Sequence, residues 1–193
     1  MNKKRTINQL LFYIDKRKEN KCIELIKKYP FLCNEITEND GSNLFLTACS
    51  KSCRKIIEYL VAQGIDIQSQ NNYGMNALFC AVCIGDLELV KYLYELGVNE
   101  EHTDWLESTP LFRACDDDFI DIIKYFIEQG VNVNYEDPNG FSFFSYLERG
   151  DITIDIPYLM EHIDKFNEKN QKIIKKIRLK RLVEKGEIMS NGI

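Results

Sequence analysis

Apolar residues recur along this chain at helical spacing, in short stripes separated by polar and glycine-rich segments. Side chains three and four positions apart lie on one face of an α-helix, so each stripe predicts a helix with a buried face. The clearest stripes are Ile56, Ile57, Leu60 and Val61; Leu89, Val90, Leu93 and Tyr94; and Ile122, Ile123, Phe126 and Ile127. Each is followed by a glycine (Gly64, Gly97 and Gly130), the residue that most often ends a helix in the left-handed conformation.

These glycines lie 33 residues apart, and other series keep the same period. One is Ala48, Ala81 and Ala114; another is a set of four similar segments that start at Gly41, Gly74, Glu107 and Gly140. Self-similarity at this period is typical of a solenoid, in which each unit buries its apolar face against its neighbours. A solenoid presents a long continuous surface, so the repeats favour binding rather than catalysis in a closed cleft.

The residues that keep this period resemble the ankyrin repeat, whose pattern is roughly D-x-x-G-x-T-P-L-H-x-A-A-x-x-G followed by a V-x-x-L-L-x-x-G helix. The third copy carries Asp104, Thr109-Pro110-Leu111, Ala114 and Gly130. The second carries Gly74, Leu78, Ala81, Gly85, Val90, Leu93 and Gly97. The fourth departs from the pattern, because Leu147 replaces the small Ala and Pro157 interrupts the predicted second helix.

The resemblance implies an all-α fold, an ankyrin-repeat α-solenoid of helix-turn-helix repeats with short β-hairpin-like turns, an N-terminal helical cap and a C-terminal capping helix. We predict a cap or degenerate repeat over 1–37, repeats over 38–70, 71–103 and 104–136, a degenerate repeat over 137–162, and a basic helix and tail over 163–193. Thr6-x-x-Gln9 predicts a capping box in the first cap.

The C-terminal cap is predicted from a further stripe of apolar residues, in which Asn170 is a polar gap. The stripe comprises Leu159, Ile163, Phe166, Ile173, Ile174 and Ile177, and it predicts one helix from about residue 157. The tail after residue 185 is predicted to be loose.

Composition argues against secretion, metal binding and catalysis. No apolar run approaches the roughly 20 residues of a membrane span, and polar residues break any signal-peptide core, so we expect a cytoplasmic protein. The cysteines number seven, an odd count that does not suit a secreted disulfide framework. Cys80 and Cys83 form a C-x-x-C, but no second pair is near and the chain has only two histidines. We therefore expect no metal, no cofactor and no enzyme activity.

By the resemblance, a partner would contact the turn tips and the exposed face of each first helix. Those positions are Asp40; Asn72, Tyr73, Met75 and Ile84; Trp105, Leu106, Ser108, Asp116 and Asp117; and Pro138, Asn139 and Phe141. The single Trp of the chain, Trp105, lies in a turn segment and not in a helical stripe. An exposed Trp is a favoured binding hot spot, and the alternative is that it folds back on neighbouring turns.

Charge predicts the chemistry of the partner. Asp116, Asp117 and Asp118 are adjacent, and Asp40, Asp104, Glu107 and Asp137 fall nearby in register, which favours an acidic face and a basic, folded protein partner. Nucleic acid is disfavoured at such a face. We expect a monomer or a heterodimer, and an inhibitor or immunity protein of a toxin or nuclease is the narrower hypothesis.

Two alternatives stay open. Residues 158–193 carry nine Lys/Arg against five Asp/Glu, whereas residues 1–157 have a net charge of −9. The basic stretch 172–181 is either a solvated face of the cap or a site for nucleic acid or an anionic membrane. The repeats could also join copies of the chain into a self-assembling scaffold.

Overall fold

The structure, a computed structural model, describes residues 3–35 and 37–185. Within these ranges the chain forms eleven α-helices and no β-strand, which confirms the all-α prediction. The helices are Lys3–Asp15 (α1), Glu19–Lys28 (α2), Leu44–Ser50 (α3), Arg54–Ala62 (α4), Ala77–Cys83 (α5), Leu87–Glu95 (α6), Pro110–Asp116 (α7), Ile120–Gln129 (α8), Phe143–Arg149 (α9), Ile156–Glu161 (α10) and Glu168–Glu184 (α11). The predicted loose tail lies outside the described residues.

Two isolated antiparallel bridges, between Gln70 and Asn76 and between Glu136 and Ser142, form hairpin-like turns before α5 and α9. Both bridges lie in the parts of the chain that the structure describes. In those same parts, no helix combines the length and the apolar character that a membrane crossing requires.

The chain divides into two compact units, Met1–Arg113 and Ala114–Ile193, and α7 runs across the division. In the first unit α1 packs on α2, α2 on α4, α3 on α4 and α5, and α5 on α6. The apolar stripes of these helices meet, and large side chains such as Phe45, Leu60 and Phe79 are almost completely buried. Burying each such side chain stabilises the fold by about 1.5–3 kcal/mol.

The second unit has its own aromatic core, and α11 packs on α9 and α10. Phe143 and Phe144 begin α9, and their rings meet edge to face with centroids 5.2 Å apart. Phe166 packs edge to face on Phe144 at 5.4 Å, and Ile174 of α11 is fully buried. The residues that close this unit therefore come from the segment that the apolar pattern predicts to be a cap.

The first helix of each repeat begins after a polar residue, and these four residues are 33 positions apart. Asn43, Asn76 and Thr109 accept a hydrogen bond from the N–H three residues later, at 2.9, 3.0 and 3.3 Å. Ser142 forms a reciprocal capping box with Ser145. A cap of this kind contributes about 1 kcal/mol, and its repetition fixes the start of α3, α5, α7 and α9.

The capping box predicted at Thr6 is wrong. The helix α1 already includes Lys3, so Thr6 lies inside it, where its side chain is buried. Lys4 and Arg5 are good helix formers, and they extend the helix in the N-terminal direction past the predicted cap.

The single C-terminal helix predicted from residue 157 is also wrong. The chain forms α10, then a 3₁₀ turn over Ile163–Lys165, and only then α11. Asn167 begins α11, because its side-chain Oδ1 accepts the N–H of Asn170 at 2.9 Å. Pro157 lies in the first turn of α10, where its missing N–H removes no helical hydrogen bond.

Asn170, the polar gap in the predicted stripe, is 1% exposed. Its Nδ2 donates to Asn134 Oδ1 at 2.9 Å, and the same oxygen accepts the N–H of Asn167 at 3.0 Å. A buried amide that finds its partner avoids the cost of an unsatisfied polar group. The gap is therefore an interior hydrogen bond that ties the start of α11 to the loop after α8.

Candidate interaction surface

The turns that precede α3, α5, α7 and α9 share one backbone hydrogen bond. In each turn an N–H donates to the carbonyl four residues later: Glu38 to Ser42, Asn71 to Met75, Asp104 to Ser108 and Asp137 to Phe141. The residue three positions after each donor has positive φ. This residue is glycine in the first, second and fourth turns. In the third turn it is Glu107, with φ +59°.

Side-chain oxygens of the first turn residue hold three of these turns. Asp104 Oδ1 accepts the N–H groups of Leu106 and Ser108 at 2.9 and 3.0 Å. Asn71 and Asp137 make the same pair of bonds in their own turns, with distances of 2.8–3.0 Å. Asp104 and Asp137, which we assigned to an acidic binding face, therefore hold their own backbone in a rigid shape.

Asp40 has a similar structural use in the first turn. Its Oδ1 accepts the N–H of Ser42 at 2.9 Å, and its Oδ2 accepts the Ser42 hydroxyl at 2.9 Å and the Asn71 amide at 3.1 Å. The half-buried carboxylate thus joins two consecutive turns.

Successive turn tips of the first unit are hydrogen-bonded to one another. Asn72 N–H donates to Asp40 O at 2.8 Å, and Trp105 N–H donates to Tyr73 O at 3.0 Å. The tips approach closely at Gly74: a Cβ built there would lie 3.2 Å from Asp104 Cα, and its φ is +76°. Only glycine fits this position without strain. The close approach of the two tips therefore explains why Gly74 is glycine.

An exposed apolar cluster lies on these tips, and we call Tyr73, Trp105 and Leu106 the tip cluster. The side chains are 45%, 68% and 67% exposed, and the Tyr73 and Trp105 ring centroids are 5.7 Å apart. The ring of Trp105 thus contacts the neighbouring turn and still presents most of its surface to solvent. Such a cluster on a fixed backbone has the character of a binding anchor.

The other predicted positions of the first unit differ in exposure. Asn72 is exposed at its tip, and Ile84 is 41% exposed at the end of α5. Met75 and Ser108 are half-buried, and their carbonyls accept the turn hydrogen bonds. Asn72 and Ile84 therefore offer side chains to a partner, whereas Met75 and Ser108 mainly shape the turns.

The three adjacent aspartates of the second unit have different surroundings. Asp116 Oδ1 accepts the Tyr146 hydroxyl at 2.7 Å. Asp118 has φ +52° and accepts both the N–H and the hydroxyl of Thr153 at 2.8 Å. Asp117 is exposed. Two of the three adjacent carboxylates therefore accept hydrogen bonds from side chains or backbone of the protein itself.

Tyr146, in the fourth repeat, joins that repeat to Asp116 of the third. Burial, together with its hydrogen bond to Asp116, raises the pKa of the Tyr146 hydroxyl well above its ordinary value, so it stays a donor. Its ring meets Phe141 edge to face at 4.8 Å, and the Arg149 guanidinium lies 5.4 Å from the Phe141 ring. Phe141 is consequently half-buried, whereas Pro138 and Asn139 are exposed at the tip.

Sequence reasoning missed some residues that build these surfaces. His102 Nε2 donates to Gly74 O at 2.5 Å, and Thr153 supplies both donors to Asp118. Asp118 occupies the repeat position that Ser52 and Gly85 hold in the earlier copies, and all three residues have positive φ. The glycine in the second copy was a sequence signal for this backbone conformation. The partner of Asp118 could not be inferred, since Thr153 lies in the divergent fourth copy.

The C-x-x-C cysteines belong to the packing of α5. Cys80 is buried, and burial raises the pKa of its thiol to about 12. Cys83 is half-buried beside it. Among the residues that the structure describes, no group of three or more His, Cys, Asp and Glu side chains is arranged to hold a metal ion.

Comparison with known proteins agrees with this architecture. Residues 10–104 match a profile of ankyrin repeats in three copies, and residues 107–134 match a profile of the ankyrin repeat. A putative ankyrin repeat protein of Rickettsia bellii (strain RML369-C) is 35% identical over 68 residues. That match covers 35% of this chain and 42% of the relative, so the chain spans less than half of the relative's length.

Proposed function

Because this chain belongs to the ankyrin repeat family, we propose that it is a non-catalytic module that binds a folded, basic protein through its turn tips and first helices. Ankyrin repeats are protein-interaction modules and are generally not catalytic. The observation that carries the proposal is the tip cluster: large apolar side chains exposed on turns that hydrogen bonds hold in place.

The backbone around the tip cluster is ordered before any partner arrives. Trp105 N–H is bonded to the preceding tip, and the Asp104 carboxylate holds the two residues that follow. A partner would therefore bury the Trp ring with little loss of backbone entropy, which is the advantage of a pre-organised site. Only the side-chain torsions remain to be restricted.

A basic partner is supported by charge and by ring chemistry. Residues 1–157 have a net charge of −9, and Asp117 and Glu107 are exposed carboxylates. Opposite charge raises the rate of encounter with a basic protein. The exposed face of Trp105 can also accept a Lys or Arg of the partner in a cation–π contact.

We propose occlusion as the mode of action, since a small module that covers a basic active surface inhibits without chemistry of its own. This is the way in which an inhibitor or an immunity protein of a toxin or nuclease would act. A self-assembling scaffold is the competing hypothesis. Light scattering separates them: a mass near 22.6 kDa for the isolated chain supports the first, and concentration-dependent larger species support the scaffold.

The decisive experiment is capture of the partner with matched variants. Wild-type protein, Trp105→Ala and Phe12→Ala serve as baits, because Phe12 is 49% exposed and lies on α1, which is not one of the turns. A basic protein retained by wild type and Phe12→Ala but lost with Trp105→Ala supports the proposal. Retention of the same protein by all three baits would place the interface elsewhere.

A further inference from the structure

The last helix, α11, carries several basic side chains that have no ion-pair partner among the residues that the structure describes. Within the described ranges, Lys169 pairs with Glu136 and Lys180 pairs with Glu184. Among the described residues, no carboxylate lies within ion-pair distance of the other basic side chains of this helix, which are Lys172, Lys175, Lys176, Arg178 and Arg181. Unpaired cations at this density raise the local positive potential.

The dipole of the helix accounts for only part of this excess. Cations are favoured in the last turn of a helix, where carbonyl groups lack partners. Arg181 lies in that last turn and Lys185 directly follows it, and Arg181 O accepts the N–H of Lys185. Lys172, Lys175 and Lys176 lie at least eight residues before the end of the helix at Glu184, which is more than two turns, so the end effect does not reach them.

Three cations line one cleft. Arg178, Arg181 and Lys185 border a space of about 380 Å³ together with the apolar Ile156, Pro157 and Leu182. The single carboxylate of the cleft, Asp155, lies 3.8 Å from Lys124 Nζ. The cleft therefore joins a positive rim to an apolar wall.

The opposite flank of α11 also presents aliphatic side chains, but its charges are balanced. Ile177, Leu179 and Val183 line a second cleft of about 480 Å³, which is bordered by Lys176 and Lys180 and by the carboxylates of Glu148 and Glu184. Leu179 and Val183 lie on the side of the helix away from buried Ile174, and they are half-buried and not fully covered. The C-terminal half of the helix thus presents aliphatic side chains on this flank, and its net positive rim lies in the cleft of Arg178, Arg181 and Lys185.

We propose that the C-terminal half of α11 is an attachment face for an anionic lipid surface. The headgroup phosphates would bind the cations, with one phosphate in the cleft of Arg178, Arg181 and Lys185, and the aliphatic side chains would enter the acyl boundary. Nucleic acid fits less well, because a sugar–phosphate backbone offers nothing to Leu179, Leu182 and Val183. The face shares no residue with the tip cluster, so either site can fail without the other.

The test uses the full-length chain and sedimentation with vesicles at low salt. Phosphatidylcholine vesicles with phosphatidylserine should retain the protein, and pure phosphatidylcholine vesicles should not. Replacing Arg178, Arg181 and Lys185 with Ser should lower the partition constant about a hundredfold, since each cation near an anionic surface contributes roughly a fivefold factor. A second variant, Leu179→Ser with Leu182→Ser, keeps the charge and should lower vesicle binding about tenfold.

Matched controls decide between the lipid surface and its competitors. Lys4→Ser, Lys16→Ser and Lys21→Ser remove the same charge from exposed positions in or beside α1 and α2, and vesicle binding should stay within about twofold of wild type. An equal loss in this control would attribute binding to net charge and overturn the site. Absence of wild-type binding to phosphatidylserine vesicles would overturn the proposal, as would binding of RNA or duplex DNA that the two Leu substitutions leave unchanged.

Discussion

Replacing Trp105 with Ala should separate its contribution to binding from its contribution to folding. The side chain is 68% exposed in the free protein. A Trp buries at most about 250 Å², so on the order of 170 Å² remains for a partner to cover. At about 25 cal/mol per Å² the upper limit is about 4 kcal/mol. Because hot-spot truncations commonly cost about 2 kcal/mol or more, we expect at least about a thirtyfold weaker Kd.

The cost to folding should be smaller. The buried third of the ring, which contacts Tyr73, corresponds to roughly 80 Å² or about 2 kcal/mol by the same coefficient. That figure is an upper bound, because the unfolded chain already buries part of its apolar surface and Ala keeps the Cβ. The hydrogen bond from Trp105 N–H to Tyr73 O involves only the backbone and survives the substitution. We expect the free energy of unfolding to fall by about 1 kcal/mol.

Two measurements on the same samples test how the contribution of Trp105 divides between binding and folding stability. Titration calorimetry with the captured partner gives the change in Kd, and urea unfolding followed by circular dichroism gives the change in stability. Phe12→Ala should produce a similar small loss of stability with unchanged affinity. A loss of several kcal/mol in stability with affinity intact would identify Trp105 as a structural staple between turns, and the proposed binding face would then be wrong.

Further predictions concern the tips, the buried thiols and the aspartates. Gly74→Ala should destabilise the fold by about 2 kcal/mol or more in urea unfolding, whereas Gly97→Ala, at φ +81° with no atom near its Cβ, should cost about 1 kcal/mol; equal losses would contradict the close approach of the tips. Burial raises the pKa of the Cys80 thiol from 9.0 to about 12, so the unfolded state loses this proton first and stability should fall as pH rises from about 9 to 12. Thermal unfolding of Cys80→Ala should show a shallower decline above pH 9, and identical slopes would refute the assignment. Asp116→Asn with Asp117→Asn should slow association and weaken its salt dependence with little change in dissociation, a result that stopped-flow mixing with the partner can test.

Much of the fold could be predicted because its signals are local and are repeated four times. A polar residue at the start of a helix and a glycine at its end act over one turn, and the stripes between them specify the buried face. The same period is sufficient to place Trp105 in a turn. Local signals gave a wrong prediction where two of them compete over a short stretch. At Thr6 a capping motif predicted the start of a helix, but the residues before it also favour helix and α1 begins earlier.

The repeat, the helices and the turns therefore follow from local sequence, whereas the role of each polar side chain depends on how distant segments pack. Asp104 and Asp117 are the same residue type in the same repeat, yet one carboxylate holds its own turn and the other is exposed. Asp118 and Asn170 find their partners about 35 residues away along the chain. A hydrogen bond requires its two atoms to lie near 3 Å, and repeat register alone does not fix the side-chain positions of two distant segments to that precision.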